Sequence, residues 1–377
     1  MQFTISHQDK DTSARQGTLT TNHSNIQTPV FMPIGTQGVV KTIDPEVLTH
    51  LDTQIILGNT YHLYIRPGHE LIHHSGGLHS FMNWDNSILT DSGGFQIFSL
   101  ARLNKISDEG VEFQSHLDGS RHFFTPEISM DIQRHLGSDI IMAFDECPPG
   151  QADEKTVKRA VDRTTRWIEE CRAFLNENES LYDWTQILFP IVQGGIFPNL
   201  RKESACSLIP YADSGMAIGG LAVGEEKNAM FETIHLMDSL LPKDQPRYLM
   251  GVGRPTDLVK SVQSGIDMFD CVLPTRNARN GQLFTSKGII NIGNKIHKES
   301  FQKLDPDCGC YTCKHFSRSY LRHLFNIKEV LGLRLATIHN LTYYMTLMET
   351  IRKNIKSECF SSWSNAYLSE MADHKGM

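Results

Sequence analysis

Three aspartates stand where short apolar runs end, and carboxyl groups in such positions can act as nucleophiles or as acid–base catalysts. They are Asp91, Asp145 and Asp270. A carboxylate can attack an electron-poor carbon, and a carboxyl group kept away from water can exchange a proton near neutral pH. Each aspartate could instead cap a following helix. Capping does not explain all three, because Asp91 and Asp145 lie in turns marked by Gly or Pro, and Asp270 precedes Cys-Val-Leu-Pro rather than a helix start.

Glycines and amide side chains accompany these aspartates at the predicted strand ends. Gln193 is followed by two glycines, and Gly219, Gly220 and Leu221 follow another apolar run. Glycine lets backbone groups approach a flat ligand closely, while Gln and Asp offer the paired donors and acceptors that the edge of a purine requires. The pattern predicts a pocket for a nucleobase. Nearby Phe and Met residues could clamp a planar ring, although such residues more often serve packing.

A cluster of cysteines near the carboxyl terminus has the spacing of a metal site. Cys308, Cys310 and Cys313 lie within six positions. Three thiolates and one imidazole complete the tetrahedral shell of a structural zinc ion, which has no open position for chemistry. His339 is the predicted fourth ligand. His315 is the alternative, but it lies so close to Cys313 that a ligand from a more distant helix is favoured.

The composition predicts a soluble, cytoplasmic protein. The chain has 377 residues, a formal charge of -7 and 40% apolar residues. No apolar run approaches the roughly 18 residues that cross a bilayer, and the first residues do not resemble a secretion signal. The charge is uneven, because eleven Lys or Arg and four Asp or Glu lie between Arg276 and Arg334. Such a segment suits a polyanion, although a solvated surface could have the same composition.

Eight apolar runs that alternate with helical patterns position these residues. Most are apolar at consecutive positions, as in strands of a parallel sheet that are buried on both faces. This alternation predicts a (β/α)8 TIM barrel, with a doubly wound open sheet as the alternative. The predicted strands are Pro29–Pro33, Gln54–Leu57, Ser87–Thr90, Asp139–Phe144, Ile187–Val192, Gly215–Ile218, Arg247–Met250 and Asp267–Phe269.

Helix signals and two interruptions complete the predicted organisation. The helices are Pro45–Leu51, Pro126–Leu136, Asp153–Asn176, Pro198–Leu208, Glu226–Leu240 and Pro255–Ser264. An Asp-Gly turn at Asp118 predicts a hairpin over 111–124. We therefore expect a catalytic barrel over 1–276, a basic zinc-binding subdomain over 277–340, and a C-terminal helical segment over 341–377 that packs on the barrel.

Eight ordered motifs span nearly the whole chain. They are Asp91-Ser-Gly-Gly-Phe-Gln96, Phe144-Asp-Glu-Cys-Pro-Pro149, Val192-Gln-Gly-Gly195, Gly219-Gly-Leu-Ala-Val-Gly-Glu225, Tyr248-Leu-Met-Gly-Val-Gly253, Phe269-Asp-Cys-Val-Leu-Pro-Thr-Arg-Asn-Ala-Arg-Asn-Gly281, the cysteine cluster, and His339-Asn-Leu341. Together they resemble the bacterial tRNA-guanine transglycosylase family of queuosine biosynthesis. The resemblance implies a (β/α)8 barrel with a zinc-bearing insertion, and a homodimer.

The same resemblance implies the reaction. Guanine at wobble position 34 of tRNAs with a GUN anticodon would be replaced by a 7-deazaguanine through double displacement. Asp270 would be the nucleophile that bonds to the ribose, and Asp91 would be the general acid and base. Cys147 and Val223 resemble the bacterial pocket and suggest preQ1 as the incoming base, with queuine as the alternative.

The remaining implied roles are contacts to the base and to the RNA. The base-binding residues would be Asp91, Ser92, Gly93, Gly94, Phe95, Asp145, Gln193, Gly220, Leu221 and Met250, with Phe95 and Met250 on the two faces of the base. Phe95 departs from the Tyr of several bacterial relatives, so a phenolic hydrogen bond would be missing. The RNA-binding residues would be Gly251, Val252, Gly253, Arg254, Pro255, Thr256, Asp257, Thr275, Arg276, Asn277, Ala278 and Arg279.

Three other functions fit the sequence less well. A non-catalytic tRNA-binding subunit of the same fold should lack the nucleophile or the metal cluster, and this chain has both sets of residues. An archaeal-type relative should carry a further C-terminal RNA-binding module. A metal-dependent barrel hydrolase needs His and carboxylate ligands at the strand ends, and no His-x-His follows the first predicted strand.

Overall fold

A computed structural model of the protein describes residues 1–100 and 104–373. Residues 374–377, which end the predicted C-terminal segment, lie outside the described residues. Within these two stretches, no helix combines the length and the apolar character that crossing a membrane requires.

Eight parallel strands of the described chain form the predicted barrel, and the doubly wound alternative is wrong. Two of the strands are each divided by a proline, Pro33 or Pro190, which has no N–H to donate to the ladder. The strands are Val30–Met32 with Ile34–Gly35, Ile55–Gly58, Ser87–Thr90, Ile140–Met142, Ile187–Phe189 with Ile191–Val192, Met216–Ile218, Arg247–Leu249 and Met268–Asp270.

The ring of strands is continuous through both prolines. The carbonyl of Pro33 still accepts a hydrogen bond from Leu57 N (3.0 Å), and that of Pro190 accepts one from Ala217 N (2.9 Å). The eighth strand pairs in parallel with the first, with Asp270 opposite Met32. The carboxyl ends of all eight strands therefore meet at one mouth.

An N-terminal antiparallel sheet, which the sequence analysis did not predict, packs against the barrel interior. Its strands are Gln2–Gln8, Arg15–Thr20 and Asn25–Thr28, in that order. Leu19 and Ile26 of the sheet belong to the same buried cluster as the inward side chains of the barrel. Arg15 forms a buried ion pair with Asp267, at the amino end of the last strand (2.6 Å). The sheet therefore covers the end of the barrel opposite the mouth.

The predicted helices are present with small differences at their ends. They are Pro45–His50, Pro126–Leu136, Glu154–Glu177, Pro198–Leu208, Lys227–Leu240 and Pro255–Gln263. Thr125 and Asp153 cap the second and third of these, each accepting a hydrogen bond from a backbone N–H three residues later. Further short helices connect the strands. These are Thr60–Ile65, His69–His74, Gly77–Met82, Gly94–Leu100, Leu273–Arg279 and the 3-10 turn Ile209–Tyr211.

The predicted hairpin over 111–124 is confirmed. Val111–Gln114 pairs with Arg121–Phe124, and a third strand, Asn104–Ile106, extends this small sheet. Along the chain, this sheet lies between the third barrel strand and the helix Pro126–Leu136.

The C-terminal third of the chain contains the predicted insertion and two long helices. Its elements are Gln282–Thr285, Gly288–Asn291, the 3-10 turn Lys295–His297, Tyr311–His315, Arg318–Asn326, Val330–Lys356 and Phe360–Asp373. The expected divisions at 276/277 and 340/341 fall inside the continuous helices Leu273–Arg279 and Val330–Lys356. The helix Val330–Lys356 belongs both to the insertion and to the outer layer of the barrel, because it carries His339 and also packs on the first strand.

Candidate functional site

A cavity of about 750 Å³ opens at the mouth of the barrel and brings the predicted site residues together. Asp91, Asp145 and Asp270 line it and are each at least 93% buried. Its volume is typical of a pocket for a small molecule. The predicted base-binding residues that also line it are Ser92, Phe95, Gln193, Gly220, Leu221 and Met250. Gly93 and Gly94 lie behind it in the turn after the third strand.

Asp91 is held by donors from the first turns of two neighbouring helices and from the residue that precedes one of them. Its Oδ1 accepts a hydrogen bond from Thr60 N (2.9 Å), and its Oδ2 accepts hydrogen bonds from Asn59 Nδ2 (2.5 Å) and Gln96 Nε2 (2.8 Å). Burial raises the pKa of Asp91 to about 6, and the nearby charge of Asp270 adds to the rise while these donors oppose it. A carboxyl group with this pKa can both give and take a proton near neutral pH.

Asp145 and Gln193 form a polar edge in the cavity. Gln193 Nε2 donates to Asp145 Oδ2 (2.7 Å), and Ser92 Oγ donates to Asp145 Oδ1 (3.0 Å). Gln193 Oε1 is buried and has no hydrogen-bond partner among the described residues. An unpaired buried acceptor costs free energy, so a ligand N–H that reached it would be stabilised. Burial raises the pKa of Asp145 to about 6.

Asp270 ends the eighth strand and is oriented through one of its two oxygens. Oδ1 accepts hydrogen bonds from Tyr248 OH (2.6 Å) and from Gly251 N (2.8 Å). A helix does begin at Leu273, contrary to the sequence analysis, yet the carboxylate of Asp270 faces the cavity rather than capping that helix. Burial raises the pKa of Asp270, and both donors oppose the rise because they favour the carboxylate.

Glycine and a buried arginine shape the wall beside Gln193. A Cβ atom on Gly220 would lie 2.4 Å from Gln193 Oε1, so a side chain at this position would displace the polar edge. Arg201 is fully buried and donates to the carbonyl oxygens of Val192 (2.8 Å) and Gly219 (2.8 Å). It therefore ties the end of the fifth strand to the loop after the sixth strand.

The two predicted ring contacts line the cavity with different exposure. Phe95 is 48% exposed, whereas Met250 is half-buried. An exposed Phe at the mouth can cover one face of a flat ligand at little cost in rearrangement.

The predicted RNA-binding residues divide into exposed and buried groups. Gly251, Arg254 and Arg276 are exposed and line the cavity mouth. Ala278 is fully buried in the protein, and Asp257 Oδ1 forms an ion pair with Lys227 Nζ (2.6 Å). The buried residues are Val252, Gly253 and Asp257, which also line the cavity, and Thr275 and Ala278, which do not. Pro255, Thr256, Asn277 and Arg279 are partly exposed.

The cysteine cluster and His339 come together as a candidate metal centre. Their ligand atoms lie within 4.8 Å of one another, and Cys313 Sγ lies 3.4 Å from His339 Nδ1. His339 Nε2 lies 2.7 Å from the carbonyl oxygen of Phe284, so it donates there and leaves Nδ1 for a metal. The group does not include His315, which is exposed. The side chains therefore fit a closed, tetrahedral site of three sulfurs and one nitrogen.

The residue after His339 ties this centre to the barrel mouth. Asn340 Oδ1 accepts a hydrogen bond from Phe284 N (3.0 Å), and its Nδ2 donates to the carbonyl oxygen of Pro274 (2.9 Å). Pro274 lies in the first turn of the helix Leu273–Arg279, which carries Arg276.

Four residues of the site are not among those predicted from the sequence: Tyr248, Asn59, Gln96 and Arg201. Tyr248 precedes Met250 by two positions, and the alternation of a strand places both on the same face. Arg201 occupies an apolar-face position of its helix, three residues before Ser204 and seven before Leu208, which indicates a buried charge. Those two sequence signals could have identified Tyr248 and Arg201, whereas the contacts of Asn59 and Gln96 depend on the fold.

Comparison with known proteins identifies relatives over almost the full length of the chain. The family model described as Queuine tRNA-ribosyltransferase matches residues 9–373. A queuine tRNA-ribosyltransferase of Thermoanaerobacter sp. (strain X514) is 54% identical over 358 residues, which cover 95% of this chain and 94% of the relative. One of Halothermothrix orenii is 52% identical over 366 residues, which cover 97% and 96%. One of Desulforudis audaxviator is 52% identical over 366 residues, which cover 97% of each protein.

Proposed function

This chain belongs to the queuine tRNA-ribosyltransferase family and is a tRNA-guanine transglycosylase, and we propose that it acts by double displacement through a covalent bond between Asp270 and ribose. The proposed substrates are tRNAs with a GUN anticodon, in which guanine at position 34 is replaced by a 7-deazaguanine. The observation that carries this proposal is the grouping of three buried carboxyl groups around one cavity, with Asp270 oriented by Tyr248 and Gly251.

In the first displacement the carboxylate of Asp270 attacks ribose C1′. The bond from C1′ to guanine N9 breaks, the electron pair leaves with guanine, and Asp91 supplies the proton that neutralises it. The raised pKa of Asp91, about 6, supports this role because a fraction of the group is protonated near neutral pH. The product is an ester between Asp270 and the tRNA.

In the second displacement the incoming base reverses these events. Its N9 attacks C1′, the ester bond to Asp270 breaks, and Asp91 takes the proton from N9. No proton or electron is gained or lost overall, so the exchange needs no energy cofactor. Two inversions at C1′ retain the configuration of the sugar.

Base recognition is proposed to rest on Asp145 and Gln193. The Asp145 carboxylate can accept N–H groups of guanine, and the unpaired Gln193 Oε1 can accept another. Phe95 and Met250 would cover the faces of the flipped base and offset part of the cost of unstacking it.

We propose preQ1 as the incoming base. Cys147, Val223 and Gly224 line the cavity and leave room for a small substituent, and Gly150 N donates to Val223 O (3.3 Å), which holds the two wall loops together. Queuine, which carries a larger substituent than preQ1, would require this wall of the cavity to move.

The tRNA is proposed to lie across the exposed cations at the mouth, Arg254 and Arg276. The group of Cys308, Cys310, Cys313 and His339 is proposed to hold one structural Zn²⁺ per chain, which would fasten the insertion to the helix Val330–Lys356.

We further propose a homodimer in the cytoplasm, supported by the exposure of Ile296 (80%) and Phe301 (81%) on the insertion. Light scattering of the purified enzyme tests the dimer.

An exchange assay tests the function. Enzyme is incubated with radiolabelled guanine and a tRNA that carries a GUN anticodon, and label is expected in the tRNA. A matched tRNA with adenine at position 34 should remain unlabelled. Chasing the labelled tRNA separately with preQ1 and with queuine should release the label with preQ1 only, and release by queuine alone would overturn the choice of base.

A further inference from the structure

Two pairs of metal-ligating side chains face each other on neighbouring helices outside the cavity. His69 and His73 lie four residues apart on His69–His74, and Asp131 and His135 lie four residues apart on Pro126–Leu136. Residues four apart on a helix share one face, so each helix offers two ligands side by side. The two helices pack against each other.

The side chains are close enough to share one ion. Ligand atoms of His69, Asp131 and His135 lie within 4.8 Å of one another. The ring of His135 is 5.1 Å from that of His69 and 5.2 Å from that of His73, measured between centroids. Ligands of a tetrahedral shell with bonds of about 2.0 Å lie about 3.3 Å apart. Rotation of partly exposed side chains can close this gap without moving either helix.

Hydrogen bonds already hold two of the rings in orientations that leave a nitrogen available. His135 Nδ1 lies 2.8 Å from the carbonyl oxygen of Asp131, and His73 Nδ1 lies 3.1 Å from Tyr182 OH. In each ring Nε2 is left for another partner, as in histidines that bind metals. Two contacts compete for Asp131 Oδ1, because Arg134 Nη1 lies 3.3 Å and His135 Nδ1 lies 3.5 Å from it. A doubly charged ion with two or three imidazole ligands would displace both contacts.

We propose that His69, Asp131 and His135, with His73 as fourth ligand, form a second metal site that takes Zn²⁺ or a similar imidazole-preferring divalent ion. None of the four side chains is among those that line the cavity. The site would join two helices, one of which also supports the catalytic loop, since Ser129 Oγ donates to the carbonyl oxygen of Ser92 (2.8 Å). Its role is structural, and the proposal is independent of the proposed exchange reaction.

Metal analysis of the purified enzyme tests this site. The full chain is dialysed against micromolar Zn²⁺ and zinc per chain is measured by mass spectrometry, together with His135→Ala, Asp131→Asn and the control His74→Ala, which changes the exposed neighbour of His73. We expect two zinc ions per chain in the wild type and in His74→Ala, and one in each of the other variants. Circular dichroism and the exchange assay establish that the variants are folded.

Cobalt distinguishes the two sites. Co²⁺ bound by imidazole and carboxylate gives weak visible bands without the thiolate-to-metal charge transfer that the cysteine site would give. The enzyme is first dialysed against a weak chelator, so that it keeps only the zinc of the cysteine site. We expect Co²⁺ titration of this enzyme to add only such bands, and the apparent affinity for Co²⁺ to fall at least tenfold in His135→Ala. Zinc content that is the same in the wild type, His135→Ala and His74→Ala would overturn the proposal.

Discussion

Tyr248 donates a 2.6 Å hydrogen bond to Oδ1 of Asp270 from the neighbouring barrel strand. Burial raises the pKa of Tyr248 well above 10, so the phenol keeps its proton in the folded enzyme at neutral pH. The donor lies within the strand Arg247–Leu249 and the acceptor ends the adjacent parallel strand Met268–Asp270, so the barrel fixes their spacing. Tyr248 is thus a positioning residue for the proposed nucleophile.

Replacing Tyr248 by Phe should alter the pH dependence of exchange. The hydrogen bond from Tyr248 lowers the pKa of Asp270 against the effect of burial, so its loss raises that pKa. Because attack requires the carboxylate, the acidic limb of kcat/KM should move to higher pH. The rate near neutral pH should fall about tenfold or more, since a hydrogen bond to a charged group contributes roughly 1.5–3 kcal/mol. Tyr367→Phe, which loses a hydrogen bond to Tyr343 outside the cavity, is the control. A pH profile that matches the wild type would remove the assigned role.

Asp270→Ala should abolish the covalent complex while the protein still folds. Removal of a nucleophile typically costs at least about 10³-fold in rate. Enzyme and tRNA are mixed and separated on a denaturing gel, where the wild type should show a band of linked protein and RNA. Circular dichroism checks folding. Retained turnover in this variant would disprove the assignment.

Asp145→Asn should stabilise the ligand-free enzyme above pH 6 and weaken base binding. The folded-state pKa, about 6, exceeds the usual 3.8, so the folded protein holds the proton more tightly than the unfolded chain does. The buried carboxylate therefore costs stability once the pH rises through 4 to 6, on the order of 3 kcal/mol at most, and costs nothing below about pH 4.

Thermal melts at pH 4 and pH 8 measure this effect. The variant should melt higher than the wild type at pH 8 and like the wild type at pH 4, whereas Asp183→Asn, on the exposed surface, should change neither. The KM for guanine should rise. If Asp145→Asn melted at a lower temperature than the wild type at pH 8, the ionised carboxylate of Asp145 would not destabilise the folded protein.

Cys310→Ser should lose the proposed structural zinc and loosen the insertion. Cys310 lies 3.7 Å from His339 Nδ1 and is buried, so a hydroxyl in its place leaves a poor ligand in a closed site. We expect about one zinc fewer per chain by mass spectrometry and faster proteolysis within 277–340. Cys206→Ser, at an exposed cysteine, should retain the wild-type zinc content. Equal zinc in the two variants would exclude Cys310 as a ligand.

Gly220→Ala should raise the KM for guanine, whereas the control Gly119→Ala should affect only stability. The new Cβ would lie 2.4 Å from Gln193 Oε1, and the backbone at Gly220 has a φ of +65°. The control Gly119→Ala has a similar φ of +76° but nothing within 4 Å, so it experiences only the backbone cost, about 1–2 kcal/mol. If both variants bind guanine equally, the contact with Gln193 does not shape the site.

The barrel could be predicted because its strands are buried on both faces and read as consecutive apolar residues. Ser87–Thr90 and Pro126–Leu136 have their predicted bounds, the latter because Thr125 and Pro126 mark its start in the sequence. The strand Gln2–Gln8 could not be recognised in this way, since most of its residues are exposed and polar.

Within the site, the position along the chain was sufficient to predict the aspartates but not the side chains that donate hydrogen bonds to them. A residue at the carboxyl end of a barrel strand lies at the mouth, which places Asp91 and Asp270 there from the sequence alone. The hydrogen bond from Asn59 to Asp91 depends instead on which strands are neighbours and in what register. That information exists only once the ring has closed.

The adjacency of His339 and Asn340 on one helix would link the proposed zinc ion to the proposed RNA contact of Arg276. Loss of that ion would disturb Asn340, which holds Pro274 and hence the helix that carries Arg276. A cell starved of zinc would then accumulate unmodified wobble guanines even though every catalytic group of this enzyme remained intact.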